Sequence, residues 1–573
     1  MKGGSSAVVW RQQAVDAVLH GLGAGLPNRW AFALVDAWEQ GADVVTLRRE
    51  VSAIRSAVTA TDDELRANAK RAALQCQMAM RGAVKSNGYQ EAIQVAVRHA
   101  VDPAKLAYDD VLTYHRMVDS RWWLLQIRKA HAETMEAGAV RLGMVHRFTN
   151  GDCYASRETV RRRRQQRKRN QGMLNAHDVV TGEGEGEERL ALADVAAGSV
   201  SNKSVRRNEL MLRLRGYEEI ANELGHKPIF VTMTCPSRFH KMSGNEKTGA
   251  SWVNKNYAGQ LPREAQDYLC KVWGRVRAEA ARQGVQMYGF RVCEPHHDGC
   301  PHWHVLLWVA NLGQRSALRS IIADYFLRDT PDEPGAQQHR VRFVYIKPWL
   351  GAVGYIAKYI AKNVDGFGVE EDLLGNPILV ACEAVDAWAS AWRIRQFQPI
   401  GGPPVGTWRE LRRIDPKIVS TDGKVAEALP FVHKTETTRA DFAGFVRVMG
   451  GPIAARRDRP IELVHRERYR PTRYGDRFVK SIVGVANVGG AVVETRAKTW
   501  RLENSSRSCS ALGLVSITVR KQSVKDFQDG GIFQRRGGEP VAVFGGVASS
   551  LRGSQGSVHD GAGMVPSRWL GGG

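Results

Sequence analysis

His302 and His304 flank a single tryptophan at the start of an apolar run, Val305-Leu306-Leu307-Trp308-Val309, of strand length. Alternate side chains of a strand share a face, so this pair can grip one divalent ion. Just upstream, Glu294-Pro295-His296-His297-Asp298-Gly299 brings a carboxylate and two further imidazoles to the same neighbourhood. Downstream, Tyr355-Ile356-Ala357-Lys358-Tyr359-Ile360-Ala361-Lys362 repeats tyrosine and lysine at four-residue spacing, which is one face of a helix. These types suit phosphodiester cleavage. A metal held by His302, His304 and Glu294 polarises the phosphate, and a tyrosine serves as covalent nucleophile because a phenolate leaves readily enough for the bond to be re-attacked. Lys358 and Lys362 would stabilise phenolate or phosphate charge. The mixed nitrogen and oxygen set suits Mg²⁺ or Mn²⁺, although histidines alone also accept Zn²⁺.

Each part has a plainer reading. A lone His-x-His on a strand is more often structural, and a tyrosine pair at helical spacing usually packs a core. Cys293, His296, His297 and Cys300 crowd enough ligands for a structural zinc site, and His296 competes with Glu294 as the third ligand of the His pair.

The elements that must position these groups follow from patterning. Pro228 to Cys235 reads as a strand, Arg263 to about Gln283 as a helix, and Gln286 to Glu294 as a second strand. Asp298-Gly299 turns the chain into a third strand, His302 to Val309. A helix from Gln314 to Leu327, a strand from Arg340 to Ile346 and the tyrosine helix complete the order β, α, β, β, α, β, α. That order predicts an α+β fold: a ferredoxin-like antiparallel sheet with flanking helices and one added helix, which must cross the face bearing the histidines.

Around this core the 573 residues divide into a mainly helical region (1–150), a basic helical or linker segment (151–225), the catalytic domain with following Trp/Arg-rich helices (226–415), an accessory region (416–529) and a flexible Gly-rich tail (530–573). In the first region, Asp62 to Ala83 and Asp119 to Ala137 read as amphipathic helices. A net charge of +23 and a pI near 9.8 favour a polyanionic partner, nucleic acid before an anionic membrane. Arg161, Arg162, Arg163, Arg164, Arg167, Lys168 and Arg169 form a dense basic run expected to contact DNA. Asp178 to Glu188 is acidic and Gly-rich, like an exposed connection. Trp388 to Phe397 and Trp408 to Arg413 mix aromatic and basic residues as single-strand binders do, though buried tryptophans would give the same pattern. No apolar window is long enough for a transmembrane helix, and no signal-peptide pattern opens the chain, so the expected compartment is the cytoplasm with no membrane partner. Eight scattered cysteines without a CxxC pair are expected to be reduced thiols.

Taken together, Pro301-His302-Trp303-His304, the preceding Glu294-Pro295-His296-His297-Asp298-Gly299 and the downstream Tyr355-Ile356-Ala357-Lys358-Tyr359 resemble the two-tyrosine HUH endonucleases that initiate rolling-circle replication, above all the gene A replication endonucleases of temperate tailed phages and their prophage relatives. The resemblance runs from about Arg141 to Arg413. It implies the HUH core, His302 and His304 as metal ligands, and Tyr355 and Tyr359 as nucleophiles. It further implies nicking of one strand of origin DNA that is single-stranded at the nick. A 5′-phosphotyrosine adduct, extension of the 3′ hydroxyl with host helicase and polymerase in the bacterial cytoplasm, and later rejoining would follow. One departure is Cys300, where a small hydroxyl residue is expected. A relaxase or HUH transposase of another mobile element, and a non-catalytic DNA-binding protein with a structural His-x-His, are the competing readings.

Overall fold

The computed structural model describes residues 22–505 except 24, 83–84, 100, 103–109, 148–150, 183–186, 245–250, 347–350, 373–375, 418–420, 435–438 and 473–474; at 53, 81–82, 85–89, 110–113, 251, 470–472 and 475–477 only the backbone is described. The tail expected over 530–573 lies outside these residues, as does Cys509.

Six helices come first: α1 (Asn28–Glu39), α2 (Val44–Thr59), α3 (Asp62–Gly82), α4 (Lys85–Arg98), α5 (Asp110–Met117) and α6 (Ser120–Arg141). The start signal at Asp119 is real, for its carboxylate accepts from the Arg121 N–H and caps α6. Next come the basic helix α7 (Arg157–Asn175), strands β1 (His177–Thr181) and β2 (Glu188–Ala191), and helices α8 (Leu192–Ala197) and α9 (Lys203–Glu223). The segment read as an exposed connection therefore begins and ends in strand. Asp178 is 1% exposed, and β1 pairs on both sides, with β2 and with β13 (Arg501–Asn504). No local pattern signals that pairing, because the partner strand lies at the far end of the described chain.

The central sheet is built from β3 (Lys227–Met233), β6 (Met287–Pro295), β7 (Pro301–Val309), β8 (Val341–Val344) and β9 (Phe397–Ile400), in the order β8-β3-β7-β6-β9 with every neighbour antiparallel. A short pair, β4 (Met242–Gly244) and β5 (Ser251–Val253), branches off after β3. Strands β6 and β7 are apolar on both faces because helices cover both. On one face α10 (Pro262–Arg282) and α11 (Leu312–Leu327) pack over Val231, Cys293, Trp303, Val305 and Leu307. On the other, α9 and the tyrosine helix α13 (Val353–Val364) pack over Phe230, Phe290, Val292, Leu306 and Trp308; a short α12 (Ala336–His339) precedes β8.

The edge strand β9 was not anticipated. It starts at the end of the first aromatic and basic stretch and lies between α14 (Ile378–Ala391) and α15 (Val405–Leu411). The tryptophans of the two stretches are core: Trp388, Trp392 and Trp408 are at most 2% exposed, so their rings are not available to stack on bases. Beyond them lie α16 (Gly423–Val432), α17 (Phe442–Val448) and a meander of β10 (Ile461–Thr472), β11 (Gly475–Asn487) and β12 (Val492–Glu494). Val425, Leu429, Phe442, Phe445 and Val485 share one hydrophobic core with Leu214 of α9 and Ile356 and Ile360 of α13. The boundaries drawn at 225 and 415 thus cross a continuous core.

Gly289 shows how closely β6 and β7 approach, since a Cβ there would sit 2.0 Å from the Leu306 carbonyl oxygen. The obstacle is backbone, which cannot swing aside. Gly289→Ala is expected to cost about 3 kcal/mol or more, read as a lowered urea midpoint with an unchanged slope.

Candidate active site

Glu294 and His302 face each other directly across the β6/β7 ladder, and His304 stands opposite Val292 on one side and Thr232 of β3 on the other. All three ligand candidates therefore project from one face. His302 Nε2 and His304 Nε2 are 3.0 Å apart, and Glu294 Oε2 lies 4.0 Å and 3.7 Å from them. Three ligand atoms, one each from Glu294, His302 and His304, lie within 4.8 Å of one another, and no other such group of three occurs among the described residues. Thr232 Oγ1 is 3.0 Å from His304 Nδ1, which fixes the ring and leaves Nε2 pointing into the cluster. The set of two imidazole nitrogens and one carboxylate, buried together, fits a divalent ion such as Mg²⁺ or Mn²⁺.

Electrostatics agree. Burial, with His304, Lys362 and His240 nearby, holds His302 well below the ordinary histidine range, which keeps a lone pair free for a ligand bond. Burial pushes the Glu294 carboxyl up, but Lys362, His304 and Asn363 outweigh it and keep the carboxyl below its ordinary value. The ionised carboxylate is thus held by specific partners. Lys362 Nζ is 3.4 Å from its Oε2, and Asn363 Nδ2 donates to its Oε1.

Those two partners sit on α13, so the carboxylate also anchors the tyrosine helix over the sheet. Glu218 of α9 accepts the Val353 N–H at 3.0 Å and fixes the helix start. Asn363 Nδ2 also donates to the Tyr359 carbonyl at 2.6 Å, while Gln396 Nε2 donates to Asn363 Oδ1 at 3.1 Å. The Tyr359 ring stacks on His304 with centroids 3.7 Å apart and planes at 17°. Phe230 lies between the two tyrosines, 6.1 Å from Tyr355 and 6.0 Å from Tyr359. Lys358 is exposed, its ammonium 4.9 Å from the Tyr359 ring centre. Burial and the nearby Glu294 charge push the Tyr359 hydroxyl up to about 12, so it is held as a phenol.

Glu294, His302, His304, Tyr359 and Lys362 are therefore brought together, with Lys358 beside Tyr359 and Tyr355 one turn back. His296 adjoins the cluster, its ring 4.0 Å from that of His302, but it is not one of the three residues whose ligand atoms converge. The zinc alternative does not assemble. Cys293 is paired with Trp303 on the opposite face from Glu294, and its Sγ donates to Gln266 at 3.3 Å. Cys300 is a buried thiol in the turn, where burial and Cys235 push its pKa well up. The seven described cysteines are all unpaired thiols.

The basic run winds around α7, and much of it is satisfied within the protein. Arg163 and Arg167 pair with Asp386 at 2.6 and 2.9 Å, Arg164 donates to Glu383 at 2.7 Å, and Arg162 donates to the Ala57 carbonyl at 2.8 Å. Arg161, Lys168 and Arg169 are exposed. Sequence reasoning missed Asn363, Thr232 and Gln396, whose roles depend on contacts across the fold; Lys362, expected to stabilise phenolate or phosphate charge, lies beside the Glu294 carboxylate. The one available signal was Asn363 directly following Lys362 on the helix.

The hairpin turn before β7 is also charge-locked. Asp298, 2% exposed, lies 3.1 Å from His240 Nδ1. Burial raises the Asp298 carboxyl, but His240, His297 and His296 outweigh it and hold it well below the usual range; burial lowers His240, and Asp298 overcomes this to raise it. The depressed carboxylate contributes stability above about pH 4, lost as pH falls through its folded value, and the raised imidazole contributes below about pH 6.5, lost as pH rises through its folded value. Asp298→Asn is expected to lose most stability near pH 6 and progressively less toward about pH 8, measured by urea titrations of both proteins. Asn363→Ala removes the donor to Glu294 Oε1 and is expected to cost about 1–3 kcal/mol, read by the same titration at one pH.

Among proteins of known sequence, the family model described as bacteriophage replication gene A protein matches residues 45–367. That match begins well before Arg141, inside the helical region to which no chemistry had been assigned. A probable replication protein of Pseudoalteromonas phage PM2 is 35% identical over 422 residues, covering 71% of this chain and 62% of that protein. The replication gene A protein of Escherichia phage 186 is 36% identical over 400 residues, covering 68% and 55%. A probable replication endonuclease from a prophage-like region of Escherichia coli O6:H1 is 30% identical over 400 residues, covering 68% and 48%. The chain thus spans about half to three fifths of these relatives, and no solved structure matches it. With more than half of its residues inside the matching model, this chain belongs to the bacteriophage replication gene A protein family.

Proposed function

We propose that this protein is a phage replication-initiation endonuclease that nicks one strand of origin DNA by tyrosine attack and later rejoins strands in rolling-circle replication. The observation that carries the reading is the stacking of Tyr359 on His304, 3.7 Å between ring centres, within the Glu294, His302 and His304 cluster. A nucleophile, a candidate metal site and cations thereby share one face of one sheet. The relatives named replication endonucleases support the same activity class.

On this reading the central sheet with α13 is an HUH core, and residues 226–415 are its catalytic region, resting on α9. Tyr359 and Tyr355 are the nucleophiles, alternating so that one holds a DNA end while the other cuts. The tyrosine Oη bonds to the scissile phosphorus, the bond from phosphorus to the 3′ oxygen breaks, and the phenol proton ends on that oxygen. The products are a 5′-phosphotyrosine and a free 3′ hydroxyl, and rejoining is the same step reversed. Glu294, His302 and His304 would hold the Mg²⁺ or Mn²⁺, which supplies Lewis-acid polarisation of the phosphate when bound. Asn363 positions Glu294 and the Tyr359 backbone together, Lys362 sets the charge of Glu294, and exposed Lys358 offers a cation toward the DNA backbone. Arg161, Lys168 and Arg169 supply phosphate contacts from α7. Host helicase and polymerase extend the 3′ end in the bacterial cytoplasm. No described helix is long and apolar enough to cross a membrane.

The test is incubation with supercoiled plasmid carrying the cognate origin and Mn²⁺ or Mg²⁺. We expect a covalent protein–DNA adduct that is lost in the Tyr355→Phe, Tyr359→Phe double variant. We also expect nicking to fall on the order of a hundredfold or more in His302→Ala, His304→Ala and on chelation. An adduct that persists in the double tyrosine variant overturns the mechanism.

A further inference from the structure

The border of the catalytic face holds a cation that the chemistry above leaves unused. Strand β8 is the outermost strand of the central sheet, beside β3, and its register sets Arg342 directly opposite Thr232 and Val344 opposite Phe230. Residues opposite each other across a ladder share a face. Thr232 is paired in turn with His304 and holds its ring, so Arg342, Thr232 and His304 form one row across three strands, on the face that carries the tyrosines. Two strand spacings, about 10 Å in all, separate the Arg342 and His304 backbones, and an extended arginine side chain covers most of that distance. The Arg342 charge is felt at the Tyr359 hydroxyl, where it works against burial and Glu294.

The other cations nearby are differently placed. Lys362 is committed to Glu294 at 3.4 Å, and Lys358 projects from the helix rather than the sheet. Arg340, two residues before Arg342, is 1% exposed and donates to the carbonyls of Phe326 and Asp329 at 3.2 and 2.7 Å. Arg342 is exposed and has no hydrogen-bond or ion-pair partner among the described residues. A cation on an edge strand also discourages pairing with another chain. Either face would serve that purpose, whereas the ladder puts this one beside the tyrosines.

We propose that Arg342 is a further catalytic residue, donating two N–H groups to the non-bridging oxygens of the scissile phosphate while Tyr359 attacks it. The inference rests on the nicking function proposed above and deepens it. A guanidinium meets two phosphate oxygens with a planar fork, and the charge that builds on them in the transition state strengthens both bonds. Arg342 keeps its protons throughout. The bond from Tyr359 Oη to phosphorus forms, the bond from phosphorus to the 3′ oxygen breaks, and the phenol proton ends on that oxygen.

The test measures single-turnover formation of the covalent adduct by the full-length protein with Mn²⁺ on a labelled single-stranded oligonucleotide carrying the cognate nick site. A second oligonucleotide has one methylphosphonate at the scissile position, where a methyl group replaces a non-bridging oxygen and removes the negative charge. Arg342→Ala is expected to slow adduct formation about a hundredfold on the natural ester and only a few-fold on the methylphosphonate, because the charge that Arg342 meets is already gone. Arg342→Lys, which keeps the charge without the fork, is expected to fall between parent and Arg342→Ala on the natural ester. Urea midpoints equal to the parent's exclude misfolding. A parental rate in Arg342→Ala overturns the proposal and leaves the nicking function standing. Equal losses on the two oligonucleotides also overturn it, for they mark a structural role. No adduct from the parent protein on the natural ester overturns the nicking function, and the role of Arg342 with it.

Discussion

A buried carboxylate at the meeting point of two layers is the constraint around which this structure is arranged. Glu294 is 1% exposed and ionised, and an unpaired charge at that depth would cost several kcal/mol, so partners must converge on it. They come from both layers. His302 and His304 belong to the sheet that carries Glu294, while Lys362 and Asn363 belong to the helix that crosses it. Satisfying one charge therefore fixes the position of an entire helix. The apolar seam of Ile356 and Ile360 supplies most of the adhesion but is tolerant of sliding, whereas a donor pair on one carboxylate sets register.

That register decides where Tyr359 stands. Its ring lies flat on His304, which is oriented from behind by Thr232, and Phe230 closes the stack. The hydroxyl is held protonated by burial and by the Glu294 charge. The same carboxylate thus serves two ends that pull against each other: it draws in cationic partners and raises the cost of forming a phenolate beside it. A cation placed between carboxylate and phenol relieves both, which is the physical reason the two imidazole nitrogens and the tyrosine make sense as one site.

Much of this was legible in the sequence because the chemistry is locally encoded. The alternation of His302 and His304, the four-residue spacing of the tyrosines and the Asp298-Gly299 turn each survive as short-range patterns, and the order of elements led to the antiparallel sheet. What was hidden depended on long-range pairing. Strand β9 contributes four residues beside tryptophans that read equally well as helix, β1 acquires its second neighbour from the end of the described chain, and Asn363 is an ordinary helix residue until Glu294 is placed opposite it. Trp388 and Trp408 show the ambiguity from the other side: an aromatic among arginines has the same signature whether it stacks on a base or fills a core, and only burial separates the cases.

The basic run on α7 extends that lesson to charge. Seven cations in nine positions imply a phosphate-binding face if the rest of the protein is ignored. Asp386 and Glu383, on a helix more than two hundred residues away, take up Arg163, Arg164 and Arg167. A guanidinium that is half-buried against a carboxylate must break that bond before it can meet a phosphate, and such partly buried pairs are stronger than exposed ones. The helix therefore divides by function along its own length and around its circumference: arginines facing α14 hold two segments of the chain together, and Arg161, Lys168 and Arg169 remain in water. Net charge identifies the class of partner, but the map of which cations face solvent is a property of the fold.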